Sequence, residues 1–449
     1  MGEAEILGAP DRPRTHLKGS LSALRRSPLW AGAILPFALI RALLGLVGVV
    51  ATYYLMPLIN PNQPIPAIAP WMNDFPGMLW RMWERFDSGY YLSIAAHGYS
   101  GAETIGPNLQ SNWAFFPLYP LLVRIAAFPL GGTDEALANM GLIIATLFAF
   151  AAAVYLFKLT ALELGEDSAG KAVLYLGLFP MSFYLWAIYP ESLFLTLLLA
   201  SLYYARRRRW LLAGVLGGLA ALTRPQGILL FLVLGWEYWQ MISERWAPVD
   251  GAGLGAPGLA RQWVISRVVG PLHSLRERRT WAGFLCLLPI PAALGGFLVY
   301  SQLTVGQFLA FSQAESFGWG RSLSNPFKAL GRTLLRPEAP SPYDWNFFGL
   351  NVLALLAFAL LFVFVVRCLP SVYRVAALLF MVFPLASGEL NSLARYYIAV
   401  FPAFMALAWW TGSGDAQSQI RRHSFVVAAF ALLLCLGMVM FTLTIFSIA

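Results

Sequence analysis

The chain has 449 residues, of which 59% are hydrophobic and 12% charged, with a formal net charge of +9 at pH 7. Its apolar residues come in runs of about 16 to 26, the length that crosses a hydrocarbon core as a helix, so the composition excludes a water-soluble enzyme and predicts a polytopic α-helical membrane protein. In such a protein an excess of Lys and Arg marks the cytoplasmic side, so the positive charge is interpreted as an orientation signal and not as a nucleic-acid site.

The first third of the chain predicts one span and a long outer loop. Residues 1–29 are basic and predict a cytoplasmic segment, followed by an uncleaved span over about 30–57, too long for the core of a signal peptide. Residues 58–135 are predicted to form the first outer loop. Its apolar part, 115–130, is short and contains Arg124, which predicts an interfacial helix that does not cross the membrane. If it crossed, the basic run 206–209 would lie outside, against the charge rule.

The remaining chain predicts ten further spans, so that residues 30–448 form a single transmembrane domain of about eleven helices. The spans are predicted at about 136–160, 171–189, 191–205, 210–223, 226–243, 281–303, 346–367, 371–387, 395–411 and 423–448. Four prolines are predicted inside spans, where neighbouring helices or cavity water satisfy the freed carbonyls: Pro180, Pro289, Pro384 and Pro402. Residues 244–280 are predicted to form a cytoplasmic amphipathic loop with a surface helix over 263–279. Residues 304–345 are predicted to form a second outer loop.

This topology collects the unusual polar residues at the outer face. They are Asp87, His97, Glu191, Arg224, Arg321, Asp344, Glu389 and Arg395. A secondary transporter built from inverted repeats would instead place its polar groups near the midplane, in two interrupted helices at corresponding positions.

Several outer-face segments carry a recognisable pattern. Residues 83–99 are WERFDSGYYLSIAAHGY and residues 114–120 are AFFPLYP. Further along, the strings are FPMSFY at 179–184, AIYPESLF at 187–194, LTRPQG at 222–227 and RYY at 395–397, the last followed by FP at 401–402. These strings resemble the signatures of the GPI mannosyltransferase II family, which comprises PIG-V and its bacterial relatives, over about residues 30–411.

The resemblance implies a GT-C glycosyltransferase fold, an all-α membrane enzyme with interfacial helices in its first outer loop. It further implies transfer of a hexose, mannose first, from a polyprenyl-phosphate sugar to a lipid or glycan acceptor, without a cofactor. The short loops resemble those of the bacterial relatives. We therefore expect a multi-pass protein of the bacterial inner membrane, in contact with membrane lipids, with its active site on the outer face and no nucleic-acid partner.

Asp87 is the candidate general base. Glycosyl transfer to an alcohol requires removal of a proton as the hydroxyl attacks, and a carboxylate within hydrogen-bonding reach accepts it without a metal. Because the leaving group is a phosphate, a second carboxylic acid is not required, and a single carboxylate favours direct inverting displacement. The alternative is that Asp87 only caps a short interfacial helix, which is the commoner role from residue chemistry alone. The family resemblance favours the base.

The candidate phosphate ligands are Arg395 and Arg224, because each is predicted where an outer segment meets a helix end and the guanidinium plane matches phosphate oxygens. The alternative for both is snorkelling to the lipid phosphate layer. Arg321 and Lys328, in the second outer loop, are weaker candidates.

A further set of residues is predicted to line the sugar or acceptor pocket. Glu191 has three possible roles, which are holding a sugar hydroxyl, pairing with an arginine, and capping the helix that follows. His97, Tyr99 and Tyr119 complete the set, although tyrosines are enriched at every membrane interface. His97 has no partners at metal-ligand spacing, so no metal site is predicted.

One other function fits the composition, namely a transporter or flippase of lipid-linked sugars that performs no transfer chemistry. Such a protein needs an outer-face cavity but no base, so Asp87 in a structured outer loop favours the enzyme.

Overall fold

The computed structural model describes residues 27–59, 75–246, 265–326, 331, 342–388, 390 and 392–443. All the regular elements in these ranges are helices, so the predicted all-α fold is confirmed. In chain order the main helices are α1 (Trp30–Leu58), α2 (Phe75–Arg81), α3 (Ser88–His97), α4 (Leu118–Ala127), α5 (Asp134–Leu164), α6 (Glu166–Leu178), α7 (Glu191–Arg206), α8 (Trp210–Ala221), α9 (Leu229–Glu244), α10 (Gly270–Ser274), α11 (Arg278–Leu285), α12 (Pro289–Val305), α13 (Ala310–Trp319), α14 (Pro342–Cys368), α15 (Ser371–Leu385), α16 (Leu393–Tyr396), α17 (Phe401–Thr411) and α18 (Ala416–Thr442).

Four helices of the described chain are long and apolar enough to cross a membrane, namely α1, α5, α14 and α18. The number rises to six if two bent pairs each count as one span. In one pair, α12 and α13 meet at 78°; in the other, Leu393–Ala399 meets α17 at 77°. The total of eleven crossings stays a prediction.

Three of the four prolines predicted inside spans lie at breaks between helices instead. The predicted span 171–189 is wrong in its second half, because α6 ends at Leu178 and Pro180 is followed by a separate 3-10 turn. Pro289 begins α12, which splits the predicted span 281–303, and Pro402 lies in the first turn of α17, which splits 395–411. Proline is tolerated in a first turn because it has no N–H to donate. Only Pro384 lies inside a helix, α15, as predicted.

The core of the bundle is built around α7, which is buried along nearly its whole length. A helix that is apolar all round is buried on all sides, and α7 packs against both α5 and α8. On the other side of α8, Gly214 allows close approach to the start of α12: a Cβ atom there would lie 1.7 Å from the Cys286 carbonyl oxygen. This packing fixes α7 within the bundle, and Glu191 is its first residue.

The opposite end of α7 carries a partly buried ion-pair cluster. Arg206 donates to Glu163 at 2.8 Å and to Glu237 at 2.9 Å, and the Tyr373 hydroxyl donates to Glu163 at 2.9 Å. This cluster joins α5, α7, α9 and α15 at the end that the charge rule predicts to be cytoplasmic. Glu191 and Arg206 are separated by about 22 Å along the helix at 1.5 Å per residue, most of the thickness of a hydrocarbon core.

Two predicted surface elements are only partly described. The apolar segment 115–130 forms α4 and one further turn, which at about 1.5 Å per residue is too short for a core of about 30 Å. Its lying flat stays a prediction. Of the predicted surface helix 263–279, residues 263–264 lie outside the described chain, and a helical stretch over 265–274 is separated from α11, so one continuous helix is wrong.

The topology is tested by cysteine labelling from outside intact cells. Arg207→Cys, in a variant whose natural Cys286, Cys368 and Cys435 are replaced by alanine, should stay unlabelled by an impermeant maleimide until the membrane is opened. The matched control is Leu109→Cys, an exposed position in the first outer loop, which should label at once. Immediate labelling of the Arg207→Cys variant would overturn the orientation and the flat position of α4.

Candidate active site

Asp87 lies in a constrained turn between α2 and α3. Phe86, immediately before it, has φ of +51°, a left-handed conformation that residues other than glycine rarely adopt. The Asp87 N–H donates to the Tyr189 hydroxyl at 2.9 Å, and this hydroxyl donates to the Arg85 carbonyl at 2.9 Å. One tyrosine thus holds both sides of the turn, which fixes the position of the carboxylate.

The Asp87 side chain does not cap α3, although its backbone occupies the N-cap position. Its Oδ2 accepts a hydrogen bond from Arg395 Nη1 at 2.9 Å instead. About a quarter of the side chain is exposed, in contrast to the 5% exposure of Arg395. The carboxylate therefore lies at the accessible edge of a buried cluster.

Glu191 is the buried centre of that cluster. Its Oε1 accepts hydrogen bonds from Arg395 Nε and from Arg224 Nη1, and only 4% of its side chain is exposed. Its Oε2 is also buried and has no hydrogen-bond partner among the described residues. Of the three roles considered for Glu191, pairing with an arginine is the one the structure shows.

Breaks in the helices place the two arginines against Glu191. Arg224 is extended, with φ of −153° and ψ of 148°, as expected for a residue before proline, and it precedes the 3-10 turn Pro225–Ile228. Arg395 belongs to the one-turn helix α16, which begins after Ser392 at φ of +62°. Regular helices through these segments would not present both side chains to the same carboxylate.

Neither arginine snorkels to the membrane surface, since their side chains are only 10% and 5% exposed. Both guanidinium groups instead lie over tyrosine rings. Arg395 Cζ is 4.7 Å from the ring centroid of Tyr184 and 4.6 Å from that of Tyr189, and Arg224 Cζ is 4.9 Å from that of Tyr396. Such cation–π contacts are strongest where water is excluded.

The four residues form one continuous chain of ion pairs, Asp87–Arg395–Glu191–Arg224, which we call the charged cluster. It contains two negative and two positive groups and is therefore neutral. Removal of a single member leaves a buried charge without compensation, which is far more costly than the absence of the whole pair.

A second ion pair adjoins the charged cluster through Tyr396. Arg321 Nη1 donates to the Tyr396 hydroxyl at 2.6 Å and pairs with Glu315 at 3.4 Å. Arg321, a weaker candidate in the predicted second outer loop, thus lies close to the charged cluster. Of the other outer-face residues, Lys328 and Glu389 lie outside the described chain, and Asp344 lies in α14, where only the backbone is described.

The other predicted pocket residues have separate surroundings. Tyr119 is fully buried and donates to the Gly141 carbonyl at 2.9 Å, and Tyr99 stacks on Trp113 and donates to the Phe115 carbonyl at 2.7 Å. Burial raises the pKa of Tyr99 well above its ordinary value, so the hydroxyl stays protonated. His97 is exposed at the end of α3. Within the described residues, Tyr119, Tyr99 and His97 make no hydrogen bond or ion pair with the charged cluster.

Tyr90, one turn after Asp87, stands closer to the carboxylate. It stacks on Phe115 with ring centroids 4.7 Å apart and its hydroxyl donates to Gln110 at 2.8 Å. Partial burial, and after it the negative charge of Asp87, raise the pKa of Tyr90. It remains a neutral donor beside the carboxylate.

A small cavity adjoins the cluster and encloses about 220 Å³ of unfilled space, part of it open to solvent. It is lined mainly by Glu191, Phe194, Arg224, Gln226, Arg395 and Tyr396. The room within it for the centre of a water molecule is about 10 Å³, enough for about one water. Within the described residues, no group of three or more His, Cys, Asp or Glu side chains is arranged to hold a metal ion.

Comparison with known families gives a match over the first part of the chain. Residues 54–243 match the model of the family described as mannosyltransferase (PIG-V). The predicted resemblance to the PIG-V mannosyltransferases is confirmed over these residues, and its extension over the rest of residues 30–411 stays a prediction. The stretch matched to PIG-V contains Asp87, Glu191 and Arg224, whereas Arg395 lies beyond it and reaches the cluster through the fold.

Two curated relatives carry the name GPI alpha-1,6-mannosyltransferase 2. The protein of Cricetulus griseus is 30% identical over 151 residues and that of Rattus norvegicus is 31% identical over 151 residues. Each alignment covers 32% of this chain and 29% of the relative. The match therefore spans less than a third of these PIG-V-type proteins.

Among solved structures, the chain is similar to an oligosaccharyltransferase of Archaeoglobus fulgidus. The apo form matches with a TM-score of 0.42 and 14% identity, over 90% of this chain and 56% of that one. The complex described as AglB with an inhibitory peptide and a dolichol-phosphate matches with a TM-score of 0.40 and 13% identity, over 92% and 56%.

Four residues of the site were not predicted from the sequence. Tyr184, Tyr189 and Tyr396 were indistinguishable from the tyrosines that line any membrane interface, and Glu315 had no motif around it. One local signal could have pointed to Tyr184 and Tyr189. They lie beside Pro180 and Pro190, which disfavour a continuous helix through this segment.

Proposed function

We propose that the protein transfers a hexose, mannose first, from a polyprenyl-phosphate sugar to an acceptor hydroxyl at the non-cytoplasmic membrane face. The family match supports mannosyl transfer, and the names of the curated relatives support an α-linked mannose product. The observation that carries the proposal is the contrast between two carboxylates bound to the same arginine: Asp87 is partly exposed, whereas Glu191 is buried and paired twice.

In the proposed reaction Asp87 is the general base. The acceptor oxygen attacks the anomeric carbon, the bond from that carbon to the phosphate oxygen breaks, and the electron pair leaves with the polyprenyl phosphate. The acceptor proton moves to the Asp87 carboxylate, whose Oδ1 accepts no hydrogen bond given among the described residues. No metal is required for this step, because the leaving phosphate needs only cationic stabilisation.

The proposed role of Arg395 and Arg224 is to bind the donor phosphate. Both already contact Glu191, which leaves part of each guanidinium fork to face a phosphate oxygen. Glu191 then orients the two forks, and the neutral cluster becomes negatively charged only while the donor phosphate is bound. The acceptor is proposed to be a lipid or glycan, which the partial match to the GPI enzymes does not restrict to GPI.

The experiment that tests this function uses proteoliposomes with a radiolabelled polyprenyl-phosphate mannose and a panel of lipid and glycan acceptors. The proposal predicts a labelled glycosylated product and free polyprenyl phosphate, in the presence of EDTA as in its absence. Movement of intact labelled donor between leaflets without product would establish the flippase alternative.

The donor-binding role gives a prediction for Arg395. Loss of one bidentate arginine contact, worth about 1.5–3 kcal/mol, should weaken donor affinity by about one to two powers of ten in Arg395→Ala, with partial rescue in Arg395→Lys. Titration with a non-hydrolysable polyprenyl-phosphate sugar measures this affinity. Arg124→Ala, at an exposed position on α4, is the control and should bind as wild type. Unchanged affinity in the folded Arg395→Ala variant would transfer the phosphate role to Arg224 or Arg321.

A further inference from the structure

Arg41 lies in the middle of α1 and has no anionic partner among the described residues. It follows Trp30, the start of α1, by 11 residues, which is about 16 Å of helix and close to the centre of a core of about 30 Å. No carboxylate of the described residues lies within ion-pair distance of it, and its Nη1 is buried with no hydrogen-bond acceptor there. An ionisable group at this depth is costly and is rarely kept without a function.

The Arg41 side chain belongs to the protein-facing side of α1 and not to the lipid-facing side. Phe37 and Gly45, four residues before and after it, are both buried, whereas Leu39 and Leu46 are 62% and 63% exposed. Residues four apart share one face of a helix. The guanidinium is therefore directed into the protein, at the edge nearest the lipid.

Two tryptophans surround this guanidinium. Arg41 Cζ lies 3.8 Å from the ring centroid of Trp83 and 5.6 Å from that of Trp186. Both rings are fully buried. The cation–π contact with Trp83 lowers the cost of burying the charge but supplies no acceptor for the guanidinium N–H groups.

The two indole N–H groups differ in a way that points to a ligand. Trp83 Nε1 donates to the Leu79 carbonyl at 3.2 Å. Trp186 Nε1 is buried and, like Arg41 Nη1, has no acceptor among the described residues. Two buried donors therefore lie in one place without an acceptor, and one of them is cationic. An oxygen atom that carries negative charge would satisfy both.

We propose that Arg41 and Trp186 form a binding site for the phosphate group of a membrane lipid. Arginine's planar fork matches phosphate oxygens, and a phosphate neutralises the charge, which a water molecule does not. A lipid is the proposed source and not a soluble anion, because Arg41 lies on a helix long and apolar enough to cross a membrane, where lipid is the surrounding medium.

This site is distinct from the charged cluster, since no residue is shared between them. Trp83 and Trp186 nevertheless lie four and three residues from Asp87 and Tyr189, so the bound lipid would support the turn that carries Asp87. The inference concerns binding only and does not rest on the proposed transfer reaction.

The test counts bound lipids by native mass spectrometry of the full chain, released from detergent that contains no phospholipid. Separate titrations use a polyprenyl monophosphate, phosphatidylglycerol, a polyprenol of the same chain length, and inorganic phosphate. Three variants are compared with wild type: Arg41→Met, Trp186→Phe, and Arg124→Met as the exposed-arginine control.

We expect wild type and Arg124→Met to bind one phosphate lipid more than Arg41→Met, whose affinity for that lipid falls by about 10- to 100-fold. Trp186→Phe, which keeps the ring and loses the N–H, should weaken it several-fold. Arg41-dependent binding of polyprenyl monophosphate alone, or of phosphatidylglycerol as well, identifies the lipid class. Equal lipid counts in wild type and Arg41→Met, binding of polyprenol as tight as of its phosphate, or displacement of the lipid by inorganic phosphate would overturn the proposal.

Discussion

Asp87→Asn is expected to lower the rate of sugar transfer by about 10²- to 10⁴-fold, the usual contribution of a general base. The amide keeps the shape of the carboxylate and its oxygen still accepts from Arg395, so the position of the turn should not change. What is lost is basicity. The loss should therefore appear in turnover, with donor affinity within a few-fold of wild type.

The matched control for this variant is Glu103→Gln, an exposed carboxylate in the same outer loop. It should retain wild-type turnover. A monodisperse Asp87→Asn protein that turns over at the wild-type rate would reduce Asp87 to an anchor for Arg395.

Glu191→Ala is expected to have the largest effect on stability. Without this carboxylate, Arg224 and Arg395 remain buried beside each other as like charges, and breaking a buried pair costs about 3–5 kcal/mol. Thermal unfolding in detergent should show a clear fall in midpoint, compared with Glu135→Ala at an exposed position of α5.

A double variant separates charge from packing. Adding Arg224→Met to Glu191→Ala removes one of the uncompensated charges, so the double variant should unfold at a higher temperature than Glu191→Ala alone. If the changes in stability caused by the two single substitutions simply add, the pairing of Glu191 with Arg224 contributes little and the cluster is held by other contacts.

The sequence was informative about the members of the site and uninformative about their pairing. Asp87, Glu191, Arg224 and Arg395 were all singled out as outer-face residues, and all four meet in one cluster. Their partners were not predictable, because Asp87 and Arg395 are 308 residues apart and their contact depends on the packing of the whole bundle. Pairing with an arginine was one of three roles left open for Glu191, and the structure pairs it with both Arg224 and Arg395.

The fold, like the site, was predicted in part. Apolar runs were sufficient to place α1, α5, α14 and α18, because a long uninterrupted run has only one stable form in lipid. The short segments around Pro180, Pro289 and Pro402 were predicted to lie inside continuous spans and are instead breaks between helices. Hydropathy does not distinguish these cases, since it depends on composition and not on which carbonyls find partners.

Arg41 illustrates a further limit of the sequence pattern. In an apolar run a lone arginine predicts only that the helix has a protein-facing side. Within the described residues, neither Arg41 Nη1 nor Trp186 Nε1 has an acceptor, and this is a property of the packed structure.

Asp87 is proposed to act as the single base in a direct displacement. The most direct test is the anomeric configuration of the transferred sugar, determined by NMR on product made from a donor of known configuration. Because Glu191 is buried and held by two arginines, it is not available as a nucleophile, and the account predicts inversion relative to the donor. Retention of configuration would require a covalent glycosyl intermediate or attack from the face of the leaving phosphate, and either would contradict direct displacement from the opposite face.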